Sequence, residues 1–204
     1  MHAQKTALIV IDVQNDFCPG GALAVADGDA ILEPVNALIA AADTVILTQD
    51  WHPAHHKSFA SQHADTSPFE LVDMAYGPQV LWPDHCVQGT SGAAFHSDLR
   101  TDKASLILRK GMNPDVDSYS AFFENDQATS TGLAGWLTAR GIETIQMAGL
   151  ATDYCVAWSA LDAVKLGFET SVVMPACRAI DLDGSLRAQS EKMRDAGIQL
   201  IDTL

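Results

Sequence analysis

Cys155 lies in the run Ala148-Gly149-Leu150-Ala151-Thr152-Asp153-Tyr154-Cys155. An apolar stretch, 143–147, precedes it. Val156, Ala157, Leu161, Val164 and Leu166 then recur at helical spacing up to Gly167. The pattern predicts a thiol in the first turn of a helix that leaves a buried strand. Unpaired N–H groups at a helix start favour negative charge, so the expectation is a thiol biased toward thiolate, able to attack a carbonyl carbon. The competing reading is an inert buried cysteine, which describes most free cysteines. Three other apolar runs also end in reactive groups. Asp12 follows Thr6-Ala7-Leu8-Ile9-Val10-Ile11, Asp50 and His52 follow Thr44-Val45-Ile46-Leu47-Thr48, and Lys110 follows Ser105-Leu106-Ile107-Leu108. A carboxylate can move a proton, an ammonium can hold negative charge, and an acid with imidazoles can bind a metal. Taken singly, each also reads as loop chemistry: a turn former, a solvated charge, a helix cap.

These residues need a scaffold that brings strand ends together. The runs 6–11, 44–48, 105–108, 143–147, 170–174 and 199–201 read as strands, the fifth closed by Pro175. Helical patterns fall between them at 30–42 with Asp29 as cap, at 131–140 stopped by Gly141, after Cys155, and at 184–196. Between about 51 and 103 the periodicity fades, and a loop region of that length inside a compact domain is usually functional. Alternating strands and helices predict an α/β fold with a parallel sheet covered on both faces. Ligands bind beyond the carboxyl ends of such strands. Asp12, Asp50, His52, Lys110 and Cys155 are all expected on that one rim, and their coincidence there is what loop chemistry does not explain.

The whole chain, 1–204, reads as one domain with a sizeable core. A formal net charge of −14 argues against nucleic acid and anionic membranes as partners, since phosphate binding needs clustered Lys and Arg. The apolar run 7–11 is too short for a secretory signal, and no stretch approaches a membrane span. The other cysteines, Cys18, Cys86 and Cys177, are scattered without a C-x-x-C pair and read as bystanders in a reducing cytoplasm. A homo-oligomer is left open.

Leu8-Ile9-Val10-Ile11-Asp12-Val13-Gln14-Asn15-Asp16-Phe17 resembles the opening signature of the isochorismatase-like cysteine hydrolases. Gln49-Asp50-Trp51-His52-Pro53, Trp82-Pro83-Asp84-His85-Cys86-Val87-Gln88 and Gly149-Leu150-Ala151-Thr152-Asp153-Tyr154-Cys155-Val156 resemble its nicotinamidase (pyrazinamidase) branch. Family members acting on isochorismate lack the cysteine, and sister amidases lack the metal loop; this chain carries both features. The resemblance implies a three-layer α/β/α fold with a mostly parallel six-stranded sheet. It implies a hydrolase that converts nicotinamide, and pyrazinamide, to the acid and ammonia through a cysteine thioester, in NAD salvage.

On this resemblance Asp12, Lys110 and Cys155 are the catalytic triad, and the N–H groups of Ala151 and Cys155 form the oxyanion hole; family members hold a cis bond at the position of Leu150–Ala151, which the residues alone leave open against an ordinary trans turn. Asp50, His52 and His85 hold a divalent metal: Zn, or Fe or Mn. Among the nearby histidines His55, His56 and His63, His56 is the alternative third ligand. Ser58 is expected beside a metal-bound water. Phe17 and Trp82 are expected as walls of a flat aromatic pocket, with plain core packing the competing reading and an equal one for Phe17, and Tyr119 is a weaker pocket candidate. The rival functions are an amidase of the same fold acting on a carbamoyl or ureido group, and a catalytically silent module that only holds metal.

Overall fold

The computed structural model describes residues 5–204. Six strands form one parallel sheet: Lys5–Ile11 (β1), Val45–Asp50 (β2), Ala104–Lys110 (β5), Ile142–Leu150 (β6), Glu169–Arg178 (β7) and Gln199–Ile201 (β8). Their spatial order is β5-β2-β1-β6-β7-β8. The chain builds outward from β1 through β2 to β5, then crosses back to β6 on the other side of β1. Progress reverses there, so right-handed crossovers place the helix after β1, Leu32–Ala41 (α1), on one face. Those after β6 and β7, Ala157–Lys165 (α3) and Ser185–Asp195 (α4), cover the other, and Leu133–Thr138 (α2) precedes β6. β2 is buried along its whole length, and Ile9, Ile11, Ile46, Leu47 and Ile145 are among the largest fully buried side chains. Continuous β-branched runs of this kind form strands because both faces of the sheet are covered.

Three details depart from the sequence expectations. The segment 51–103 is not uniformly irregular: Leu71–Met74 (β3) and Gly77–Val80 (β4) form an antiparallel hairpin. Strands of four residues, one of them carrying Pro78, lack a periodic signal long enough to read. Pro175 does not close its strand, because the β6–β7 register shifts between Met147 and Gly149 and β7 continues past it to Arg178. Asp29 is no cap; it lies inside a 3₁₀ turn, Gly28–Ile31, that leads into α1, and its side chain makes no capping bond.

Candidate active site

The reversal of strand progress lies between β1 and β6, and ligand sites of open parallel sheets form at such a point. Along the carboxyl rim the ends of β5, β2, β1 and β6 deliver Lys110, Asp50, Asp12 and, one turn on, Cys155. Asp50 and Lys110 are direct ladder partners, so their side chains share a face. Asp12, with φ 48°, turns its carboxylate back over the sheet. Thr48 fixes it twice: its hydroxyl donates to Asp12 Oδ1 at 2.6 Å and accepts the Asp12 N–H at 3.1 Å. The Lys110 ammonium lies 2.9 Å from Asp12 Oδ2, donates to Asp50 Oδ1 and to the Ser118 carbonyl at 2.9 Å, and stands 3.5 Å from Cys155 Sγ. The Asp12 Oδ2 contact is ionic and not a well-directed hydrogen bond, which leaves that oxygen able to accept a further proton.

Burial sets the electrostatics. It pushes the Asp12 carboxyl up to about 6, with Lys110 pulling the other way. Burial acts on Asp50 in the same sense, but Lys110 and His52 outweigh it and hold that carboxyl well below its ordinary range. Burial disfavours the Lys110 charge, yet the two carboxylates outweigh it and keep the group an ammonium.

Cys155 stands in one π turn, Thr152–Val156, that links β6 to α3. The Leu150–Ala151 peptide is cis. Gly149, φ 128°, packs its backbone so closely on Ile11 that a Cβ would run into the Ile11 carbonyl, which is why β6 can lie against β1 here. The Ala151 carbonyl accepts from the N–H groups of Tyr154 and Val156, at 3.1 Å each. The expected bias toward thiolate is overturned. Burial pushes the Cys155 thiol well above its ordinary value, Lys110 offsets this only in part, and Asp12 and Asp50 add to the rise. A helix start cannot outweigh two carboxylates within 4.8 Å of the sulfur. The resting group is a thiol beside a base.

Ligand atoms of Asp50, His52 and His85 lie within 4.8 Å of one another, and all three residues are buried. His52 Nδ1 lies 2.8 Å from the Gly111 carbonyl, and His85 Nδ1 lies 2.7 Å from the Pro83 carbonyl. Each Nδ1 therefore donates, which leaves His85 Nε2 a lone pair; His52 Nε2 faces Asp50 Oδ2 at 3.7 Å, and although burial lowers the His52 pKa, that carboxylate outweighs it and raises it. Burial lowers the pKa of His85, and of His56, to about 4, so both rings are neutral. An acid and imidazoles with free Nε2 atoms suit a divalent cation. His52, His56 and Asp117 form a second such group sharing His52, and His56 Nε2 is buried without a partner. The Ser58 hydroxyl lies 2.7 Å from His56 Nδ1. His63 binds the Lys57 carbonyl through Nε2.

A narrow cleft opens over Cys155, lined by Phe17, Leu23, Trp82, Tyr119, Tyr154 and Ile180 together with Asp50, His52, His85, Asp117 and Ala151. Trp82 meets Tyr154 edge-on with centroids 4.9 Å apart and donates its indole N–H to the Tyr119 hydroxyl at 3.1 Å. Phe17 packs against His85 at 5.5 Å. A wider depression at the opposite, amino ends of the strands, bordered by Lys5, Leu38, Arg140 and Gln146, contains none of these reactive groups.

Sequence reasoning missed the residues that hold the reactive ones. The Gln14 amide donates to the Asp50 carbonyl at 2.9 Å and accepts the Asp50 N–H at 2.8 Å, extending the ladder by a side chain. Gln79, on β4, donates to Asp117 Oδ2 at 2.8 Å and to the Tyr119 hydroxyl at 2.9 Å, fastening the hairpin to the cleft. One signal was present: Thr48 is a polar residue ending an otherwise apolar buried run.

The chain belongs to the isochorismatase family: the Isochorismatase domain model matches residues 6–203. Within that family it is 53% identical over 202 residues to the nicotinamidase of Acinetobacter baylyi, covering 99% of this chain and 94% of the relative. A solved nicotinamidase and pyrazinamidase from Acinetobacter baumanii superposes with a TM-score of 0.96 at 53% identity, covering 98% of this chain and 97% of that one. A pyrazinamidase of Pyrococcus horikoshii, solved with zinc, gives a TM-score of 0.76 at 37% identity, covering 98% and 99%. Among the described residues no helix is long and apolar enough to cross a membrane.

Proposed function

We propose that the chain hydrolyses nicotinamide to nicotinate and ammonia through a thioester on Cys155, takes pyrazinamide at the same site, and serves NAD salvage in the cytoplasm. The observation that carries this reading is a buried thiol 3.5 Å from an ammonium that also holds the buried Asp12 carboxylate, beneath a cleft walled by aromatic side chains.

Asp12 takes the thiol proton as Sγ adds to the amide carbon. The negative oxygen is held by the N–H groups of Ala151 and Cys155. Asp12 then gives its proton to the departing nitrogen, the C–N bond breaks, ammonia leaves, and the acyl group stays on sulfur. In the second half Asp12 takes a proton from water, the hydroxide oxygen adds to the thioester carbon, and the C–S bond breaks. Asp12 returns the proton to sulfur, and the acid departs. Lys110 keeps its charge throughout and holds Asp12 and the developing thiolate in place. Phe17, Trp82 and Tyr119 orient the ring by stacking and edge contacts. Asp50, His52 and His85 would hold a divalent cation, which supplies a Lewis-acidic anchor for a ring nitrogen or water. Zinc suits this mixed donor set, and the Pyrococcus horikoshii relative was solved in complex with zinc.

The experiment is ammonia release from nicotinamide by metal-loaded protein; none above background rejects the reading. Turnover that survives complete metal removal favours the carbamoyl or ureido amidase instead.

Two outcomes refine the assignment. The rate constant kcat/KM is expected to rise with pH through a midpoint near 6, because Asp12 must be ionised to accept the proton and is protonated below that pH. A midpoint at or below about 4, the ordinary aspartate value, means that burial does not raise Asp12 in the working enzyme. His85→Ala is expected to purify with little bound metal, and His56→Ala with most of it, read by atomic emission. The buried, unpartnered His56 Nε2 favours a second reading in which His56 is the third ligand; the reverse metal contents select it.

A further inference from the structure

Asp153 stands two residues before the nucleophile and takes no part in the chemistry above, yet its side chain is buried, 1% exposed. A carboxylate taken out of water needs donors, and among the described residues those of Asp153 come from one remote segment. Asp153 Oδ1 accepts the Ile180 N–H at 3.1 Å, and Oδ2 accepts the Asp181 N–H at 2.8 Å and the Ser185 hydroxyl at 2.5 Å. That segment joins the end of β7 to the start of α4. It belongs to no strand, and Asp181, Asp183 and Gly184 are all left-handed, at φ 55°, 51° and 82°. Asp153 thus holds the Ile180 backbone where no ladder does. The half-buried Ile180 side chain lines the cleft beside Cys155, Ala151 and Leu23.

We propose that Ile180 is the wall that limits the size of the acyl group admitted beside Cys155, and that Asp153 is the positioning residue that sets where this wall stands. The inference rests on the proposed function for the class of ligand, a planar heteroaromatic carboxamide; the wall excludes ring substituents on the edge that faces it. Latch and nucleophile share one π turn, so the wall is referenced to the sulfur across only two residues of chain. A displaced wall changes which rings fit and not merely how stable the fold is.

The test compares nicotinamide with its 2-, 4-, 5- and 6-methyl derivatives in the metal-loaded enzyme. Ile180→Ala is expected to raise kcat/KM for at least one methylated amide, relative to nicotinamide, by about tenfold or more, the scale of one methyl group in an apolar pocket. Asp153→Ala is expected to move the ratio for the same derivative in the same direction with Ile180 still present. Asp153→Asn, which keeps one acceptor oxygen, falls between. A purely structural Asp153 would lower the rates of all the amides alike and leave their ratios unchanged.

Ratios within about twofold of wild type for every derivative in Ile180→Ala overturn the wall. The same result in folded Asp153→Asn and Asp153→Ala overturns the latch, and Asp153→Asn decides alone if the alanine variant does not fold. Failure of wild type to hydrolyse nicotinamide rejects the proposed function separately. The panel is then read as calorimetric binding to Cys155→Ala with and without Ile180→Ala, where an unchanged ratio, or no binding by any member, rejects the wall by itself.

Discussion

Cys155→Ala is expected to lose turnover of the amide by about 10⁵-fold or more while the protein stays folded, since removing a covalent nucleophile leaves only binding and oxyanion contacts to work on water. The fold should tolerate the change. Cys155 is 6% exposed, and its loss removes one sulfur atom and one long contact, Lys110 Nζ to Sγ at 3.5 Å. A small cavity of that kind costs on the order of 1 kcal/mol, a shift of a few degrees in Tm for a chain of this length. Intact-mass measurement under turnover gives the positive control: wild type gains the mass of the acyl group less one hydrogen, and the variant does not. Circular dichroism matching wild type together with more than about one-hundredth of wild-type turnover would remove the nucleophile from Cys155. A silent metal-holding module predicts no acyl adduct in either protein.

Lys110→Met is expected to damage stability and activity together. Lys110 is 2% exposed and bridges two buried carboxylates, those of Asp12 and Asp50. Deleting one partner of a buried ionic group leaves uncompensated charge and destabilises by about 3–5 kcal/mol. At roughly 2–4 °C per kcal/mol for a domain of this size, Tm should fall by about 6–20 °C. The pH dependence follows from the same contacts. Without the ammonium, burial and mutual repulsion raise both carboxyl groups, so the folded variant binds protons more tightly than the unfolded chain does. Its stability should therefore improve as pH falls from neutrality through the raised pKa values toward the unfolded aspartate value near 4. The comparison is made on metal-free protein, so that metal affinity does not enter. Turnover should fall by at least about 10²-fold, because Asp12 loses the charge that holds it ready as a base. An unchanged Tm with turnover retained would make Lys110 a spectator.

The reactive residues were legible in the sequence for a local reason. Buried parallel strands are continuous apolar runs, and the polar residues that follow each run sit on the carboxyl rim, so Asp12, Asp50, Lys110 and Cys155 lie a short way beyond where apolar character stops. The motifs around them carried the family. What holds these side chains was not legible. Thr48 reaches Asp12 across 36 residues, Lys110 reaches Asp50 across 60, and the Ile180 N–H reaches Asp153 across 27. No local periodicity encodes such pairs.

The charge state of the sulfur belongs to the same class of facts. A helix start, read locally, predicts a thiolate; the folded site buries the sulfur beside two carboxylates and keeps it a thiol. The long helices and the six sheet strands, with the groups at their ends, follow from the chain's local pattern, because helices and strands of that length are short-range periodicities. Strand order, the β3–β4 hairpin, the partners of Asp153 and the raised thiol of Cys155 emerge only in the packed fold. Burial and Coulomb interaction are sums over every neighbour in space, and those neighbours come from the whole chain.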